Sequence, residues 1–191
     1  MARDKDDKKI EAIYAATLQI VLQSGFSGLK MPDIAKAAGM ATGTLYIYFK
    51  SKEDLVNTLY LHLKSRKMKG LFSQYDPSAP FRACFKQLWY AYFQLNLVNL
   101  QEAVFLEQYF RSPYLHEEVK KQEKQLFQPI YDLLERGKKE QIIKNLDSEL
   151  LLLQLTGPIH EMTKLSYSEA FQITEQVLEK AFLMAWDGLK L

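Results

Sequence analysis

Residues Lys30 to Lys50, KMPDIAKAAGMATGTLYIYFK, constrain this chain more than any other stretch. Pro32 suits the first turn of a helix, where its missing N–H would have no partner in any case. Ile34, Ala35 and Ala38 supply a small apolar face, and Gly39 interrupts the run where a left-handed turn is cheapest. A second short helix is expected from about Thr42 to Tyr48, within the aromatic-rich run that ends at Phe49. Helix, tight turn, helix at this spacing is the arrangement that lays a second helix in the major groove of DNA.

The pattern continues on both sides. Ile13, Ala16, Ile20 and Val21 recur at helical spacing, Gly25-Phe26 ends that run, and the string GTLYIYFKSKEDL follows the turn from Gly43 to Leu55. Together with Asp33-Ile34-Ala35 and Ala38-Gly39, these pieces make Ile13 to Val56 resemble the DNA-binding domain of the TetR family of bacterial transcriptional regulators. The signature covers roughly a quarter of the chain; the rest is similar to the family by length and helical character. The resemblance implies a ligand-responsive regulator, in most relatives a repressor released from a palindromic operator by a small effector. It also implies a homodimer on double-stranded operator DNA. The positions that line DNA in the family correspond here to Ala41, Thr42, Gly43, Thr44, Tyr46, Ile47, Tyr48 and Lys52.

The residue types suit that role. Gly43 and Thr44 leave room for close approach to bases, and the Thr42 hydroxyl can reach a phosphate. Tyr46 and Tyr48 can pack on sugars or thymine methyls while still offering a hydroxyl, whereas Leu45 and Phe49 should anchor the helix in its own domain. Lys52 sits in the first turn of a helix, where a cation opposes the macrodipole; a nearby phosphate would remove the conflict. Lys36 and Lys50 are further phosphate candidates. Three residues depart from the family pattern: Met31 and Ala41 stand where hydroxyl caps are frequent, and Ile47 replaces a frequent aromatic.

Charge is divided to match. The first 70 residues hold 12 Lys and Arg against 7 Asp and Glu, a balance of +5, while the other 121 hold 13 against 16, a balance of −3. Positive charge therefore gathers beside the motif, as phosphate attraction requires. Cys84 is the single cysteine, which excludes an internal disulfide and a thiolate metal cluster, and reads as buried filler. His62, His116 and His160 show no ligand spacing, and there is no nucleotide loop or nucleophile elbow. No catalytic residue, metal or cofactor is expected. No apolar run reaches the roughly 20 residues of a bilayer span, and MARDKDDKK leads into no signal region, so a cytoplasmic protein without membrane contact is expected.

Sparse glycine and long apolar runs point to an all-α fold of about nine helices: a three-helix DNA-binding head and a larger helical ligand-binding and dimerisation domain. The head should occupy residues 1–50, completed by the start of a helix over 52–69, with the larger domain over 70–191. Residues 1–9 read as a mobile charged arm. Ser51 suits a helix N-cap with Asp54 as its acidic partner. A long helix is expected from Tyr114 to Glu135, kinked or divided at Pro129 and closed at Gly137, with two more over Ser148–Thr163 and Ser168–Gly188.

The aromatic load of the middle helices suggests an apolar, aromatic or elongated ligand of unknown identity. Its candidate pocket is Phe81, Phe85, Trp89, Tyr92, Phe93, Tyr109, Phe110 and Tyr131, with Gln94, Gln108, His160 or Thr163 to orient it. The last two helices are the expected dimer interface, through Leu151, Leu152, Leu155 and Ile159 on one and Phe171, Thr174, Leu178, Phe182 and Trp186 on the other. A different class of function is a helical ligand carrier or interaction module that no longer binds DNA. Salt-dependent DNA binding separates the two.

Overall fold

The computed structural model describes residues 2–97, 99–167 and 171–191, with side chains from Asp6 onward. Ten helices follow in order among these residues: α1 (Ala2–Ser24), α2 (Met31–Ala37), α3 (Thr42–Tyr48), α4 (Lys52–Leu71), α5 (Phe81–Leu97), α6 (Leu100–Phe110), α7 (Glu117–Leu126), α8 (Gln128–Lys139), α9 (Ser148–Tyr167) and α10 (Glu175–Leu189). The chain is all-α. The extra helix comes from Pro129, which divides the expected Tyr114–Glu135 helix: α7 ends at Leu126 and the proline enters the first turn of α8. Gly137 does not close the run but lies inside α8. The charged start of the chain is no separate arm, because α1 begins at Ala2; with no glycine or proline before Gly25, nothing in the sequence interrupts it. The expected start of the last helix at Ser168 lies outside the described residues.

The chain forms two compact units, Met1–Ser65 with Asn99–Glu123, and Arg66–Val98 with Lys124–Leu191. In the first, Ile13 and Val21 of α1, Ile34 and Ala35 of α2, Leu45 of α3 and Leu55, Val56 and Leu59 of α4 share one core with Phe105 and Tyr109 of α6. Gly39 turns α2 into α3 at φ +69°, a left-handed conformation that glycine adopts without strain. The α4 start is capped as its sequence suggests: Ser51 Oγ accepts from Asp54 N at 3.1 Å, and Asp54 accepts from Lys50 N at 2.8 Å. Phe26 packs on Phe105 at 5.3 Å between ring centroids, and Tyr60 stacks on Tyr109 at 4.0 Å. The Tyr109 hydroxyl donates to Asn57 Oδ1 at 2.7 Å; burial, then the carboxylates of Glu123 and Glu53, push its pKa up.

In the second unit, Phe81, Phe85 and Phe93 of α5 meet Leu133 and Leu134 of α8, Leu151, Leu155 and Ile159 of α9, and Leu178, Phe182 and Trp186 of α10. Gly137 is required by close approach, since a Cβ there would lie 2.5 Å from the Phe81 ring. Arg136 donates to the carbonyls of Pro77 and Ala79 at 2.7 and 3.1 Å, fastening the loop before α5. Cys84 is buried filler, its thiol 3.1 Å from the Asp76 carbonyl. No described helix is long and apolar enough to cross a membrane, and no group of three or more potential metal ligands occurs among the described residues.

Candidate nucleic-acid interface and effector cavity

Helix α3 divides sharply between its two sides. Leu45 within it and Phe49 at its end are buried, while Tyr46 is 50% and Ile47 79% exposed. Ala41 and Gly43 are also exposed, and a Cβ built on Gly43 would meet nothing within 4 Å. Thr42, Thr44 and Tyr48 are half-buried. The helix starts without a side-chain cap at Ala41, and α2 likewise starts uncapped at Lys30, as the departures at Ala41 and Met31 lead one to expect. Lys36 and Lys50 stand exposed on the same small domain. Tyr46 and Ile47 are thus two large side chains held in water on a helix of seven residues.

Lys52 is the exception to the expected set. Its ammonium turns inward, donating to the carbonyls of Leu29 at 3.1 Å and Phe26 at 3.4 Å, and lies 5.6 Å from the Tyr114 ring centroid. The conflict with the helix dipole is met here by two backbone carbonyls and an aromatic face, so a phosphate contact by Lys52 would have to draw the ammonium away from them. Tyr48 also has a partner that its sequence position does not reveal. Its hydroxyl donates to Asp6 Oδ1 at 2.8 Å, and Lys9 Nζ lies 5.7 Å from the ring centroid. Both partners come from the first turns of α1.

The second unit holds a cavity of about 60 Å³. Phe85, Leu88, Trp89 and Tyr92 of α5 form one wall, Ile130, Leu133 and Leu134 of α8 another, and Leu152, Leu155, Thr156 and Ile159 of α9 a third, with Leu71 and Phe127 completing it. Of the eight expected pocket aromatics, three line it. Phe81 and Phe93 pack in the surrounding core without lining the space. Tyr131 donates to Glu149 at 2.7 Å instead. Tyr109 belongs to the core of the first unit, and Phe110, on the same helix, is exposed. Among the polar candidates, His160 Nε2 lies 2.9 Å from the Tyr92 hydroxyl. Thr163 donates to the Ile159 carbonyl at 2.7 Å.

The expected interface residues mostly face inward. Leu152, Leu155 and Ile159 line the cavity, and Leu151, Leu178, Phe182 and Trp186 are buried in the core of their own unit. Thr174 caps α10, accepting from Val177 N at 3.3 Å, and it and Phe171 are the exposed members of that group. The apolar side chains that α9 and α10 present to solvent are Leu150, Leu153, Leu165, Leu183 and Met184. The four successive leucines from Leu150 to Leu153 point round the whole of α9, so periodicity there could not separate the inner side from the outer.

Residues 13–59 match the family model for bacterial regulatory proteins of the tetR family, and residues 80–190 match the tetracyclin repressor-like C-terminal domain. An uncharacterized HTH-type transcriptional regulator of Haemophilus influenzae is 27% identical over 94% of this chain and 95% of its own length. The crystal structure of a TetR family transcription regulator from Marinobacter aquaeolei superposes with a TM-score of 0.92 at 26% identity, covering 98% of both chains. The Bacillus subtilis regulator FadR, crystallised with stearoyl-CoA, shares the fold at TM-score 0.74 and 20% identity over 93% of this chain and 98% of that one. With its exposed α3 and its two matched domains, the chain belongs to the TetR family of bacterial regulatory proteins, as a helix-turn-helix transcriptional regulator.

Proposed function

We propose that this regulator is a repressor acting in the cytoplasm, without catalytic activity, as a homodimer on a near-palindromic operator. DNA reading falls to residues 1–50 and the start of α4, ligand binding and dimerisation to residues 70–191. The observation that carries this reading is the split character of α3, with Leu45 and Phe49 anchoring it while Tyr46 and Ile47 stand in water. Ala41, Thr42, Gly43 and Thr44 approach the bases, Tyr46 and Ile47 meet sugars and thymine methyls, and Lys36 and Tyr48 reach phosphates. One short helix in one half-site buries too little for specific binding, so a second copy supplies the other half.

For the dimer, the supporting features are the exposed Leu150 and Leu153 of α9 and Leu183 and Met184 of α10, which replace the buried residues expected from the sequence. The effector site is the cavity between α5, α8 and α9, whose lining suits a small apolar or aromatic molecule. Genomic fragments selected on the full-length chain test the whole reading. The selected sites should share two inverted half-sites roughly 34–36 Å apart, one helical turn, and a promoter carrying one should be silenced by the protein. Selection of no shared sequence, with binding indifferent to salt, would leave the carrier reading standing instead.

A further inference from the structure

Helix α3 reads TGTLYIY and passes into Phe49. It holds no Arg, Lys, Asn, Gln, Asp or Glu, the side chains whose donors and acceptors tell one base pair from another in the major groove. Its polar side-chain atoms are the hydroxyls of Thr42, Thr44, Tyr46 and Tyr48. A hydroxyl both donates and accepts, so it suits donor and acceptor bases alike. The Tyr48 hydroxyl is moreover spent on Asp6 Oδ1 at 2.8 Å.

What the helix presents beside these hydroxyls is apolar. Gly43, Tyr46 and Ile47 are exposed at a spacing of three and four residues, so they share a face. A helical side chain leans over the turn before its own Cα, which for Ile47 is the turn of Gly43. No side chain stands there, and a Cβ built on Gly43 would meet nothing within 4 Å. Ile47 is left 79% exposed, with nothing at Gly43 to screen it. Thymine alone carries an apolar group, its C5 methyl, into the major groove. The amino groups of cytosine and adenine and the acceptors of guanine would lose water to an isoleucine and gain no hydrogen bond from it.

We infer that Ile47 is a specificity-determining residue of the operator contact: in each half-site it rests on the C5 methyl of a thymine. The helix thus reads a methyl group at that base pair rather than a hydrogen-bond pattern. This inference rests on α3 lying in the major groove of an operator and adds the base that it selects.

The test selects operators from random-sequence duplexes with the full-length chain, then replaces each thymine of the selected half-site by deoxyuridine, which deletes only the methyl. At one position per half-site the wild type should lose about fourfold in affinity, or about fifteenfold with both half-sites changed, the worth of one buried methyl group in each. Ile47→Ala should bind the thymine and uracil duplexes alike at that position, and Ile47→Val should keep most of the difference. Changing the same pair to C·G should cost affinity that 5-methylcytosine partly restores in the wild type but not in Ile47→Ala. Groove shape and stiffness change equally for all these proteins, so the difference between them isolates the contact. Uracil costing the wild type and Ile47→Ala the same at every thymine, or selected half-sites without thymine, overturns the inference and leaves the operator reading standing. Selection of no shared sequence ends that reading and the inference with it. Should Ile47→Ala not fold, Ile47→Ser makes the same comparison.

Discussion

At the residue scale, Lys52 shows how a local argument can identify the need for compensation without naming the groups that supply it within the chain. A cation in the first turn of α4 needs compensation, and that much is legible in the sequence. Only the folded chain reveals that the carbonyls of Phe26 and Leu29 arrive first. Lys52→Ala should therefore cost about 1–2 kcal/mol of stability, read as a lower Tm, while leaving the salt slope of DNA binding unchanged. Lys36→Ala should do the reverse, reducing that slope by about one unit at constant Tm. Asp6 supplies a second case. It holds the Tyr48 hydroxyl, so a phosphate contact by Tyr48 requires this bond to break. Asp6→Ala, which removes the acceptor, should tighten DNA binding on the order of threefold, since an exposed hydrogen bond is worth about 0.5–1 kcal/mol. Removing an acid near DNA would help in any background, so the decisive measurement repeats the substitution in Tyr48→Phe. A gain of the same size there would show that the Asp6–Tyr48 bond restrains nothing.

Among the elements, those ruled by local chemistry are the ones the sequence exposes. Pro32, Gly39, the Ser51–Asp54 cap and Pro129 act within a few residues, and the boundaries of α2, α3, α4 and α8 follow from them. Helix α6 escapes such reasoning. Its aromatics suit a ligand pocket, yet Phe105 and Tyr109 meet Phe26 and Tyr60 from distant parts of the chain, and no periodicity within α6 encodes that choice. The split of α3 leads to a direct expectation. Tyr46→Ala and Ile47→Ala should change stability by less than about 0.5 kcal/mol, because neither side chain is in the core, and should weaken operator binding at least tenfold when combined. Gly137→Ala is the opposite control: the new methyl collides with Phe81, so a loss of roughly 1–3 kcal/mol is expected in thermal unfolding.

For the molecule as a whole, the difficulty lies in α9, where leucines occupy four successive positions from Leu150 to Leu153. Such a helix has apolar groups toward every neighbour, and the sequence alone cannot assign them to a cavity, a core or a second copy. Exposure assigns them: Leu151 is buried in the core, Leu152 lines the cavity, and Leu150 and Leu153 face water. Leu153, 68% exposed on α9, and Met184, 75% exposed on α10, are too large and too apolar to be explained by packing within one chain. Burying their counterparts in a two-fold pair gives each side about 1.5–3 kcal/mol per side chain before the cost of association. Leu153→Glu should therefore dissociate the dimer in sedimentation experiments at micromolar protein without lowering the Tm of the single chain, because that side chain contributes nothing to its core. Operator affinity should fall with it, since each half-site then binds alone, whereas binding to non-operator DNA should change far less. A Leu155→Ala variant separates the two uses of the helix: it enlarges the cavity and lowers stability by about 2–4 kcal/mol, but should leave dimerisation intact. If instead Leu155→Ala dissociates the pair and Leu153→Glu does not, the interface lies on the inward side of α9 and the exposed row serves another partner.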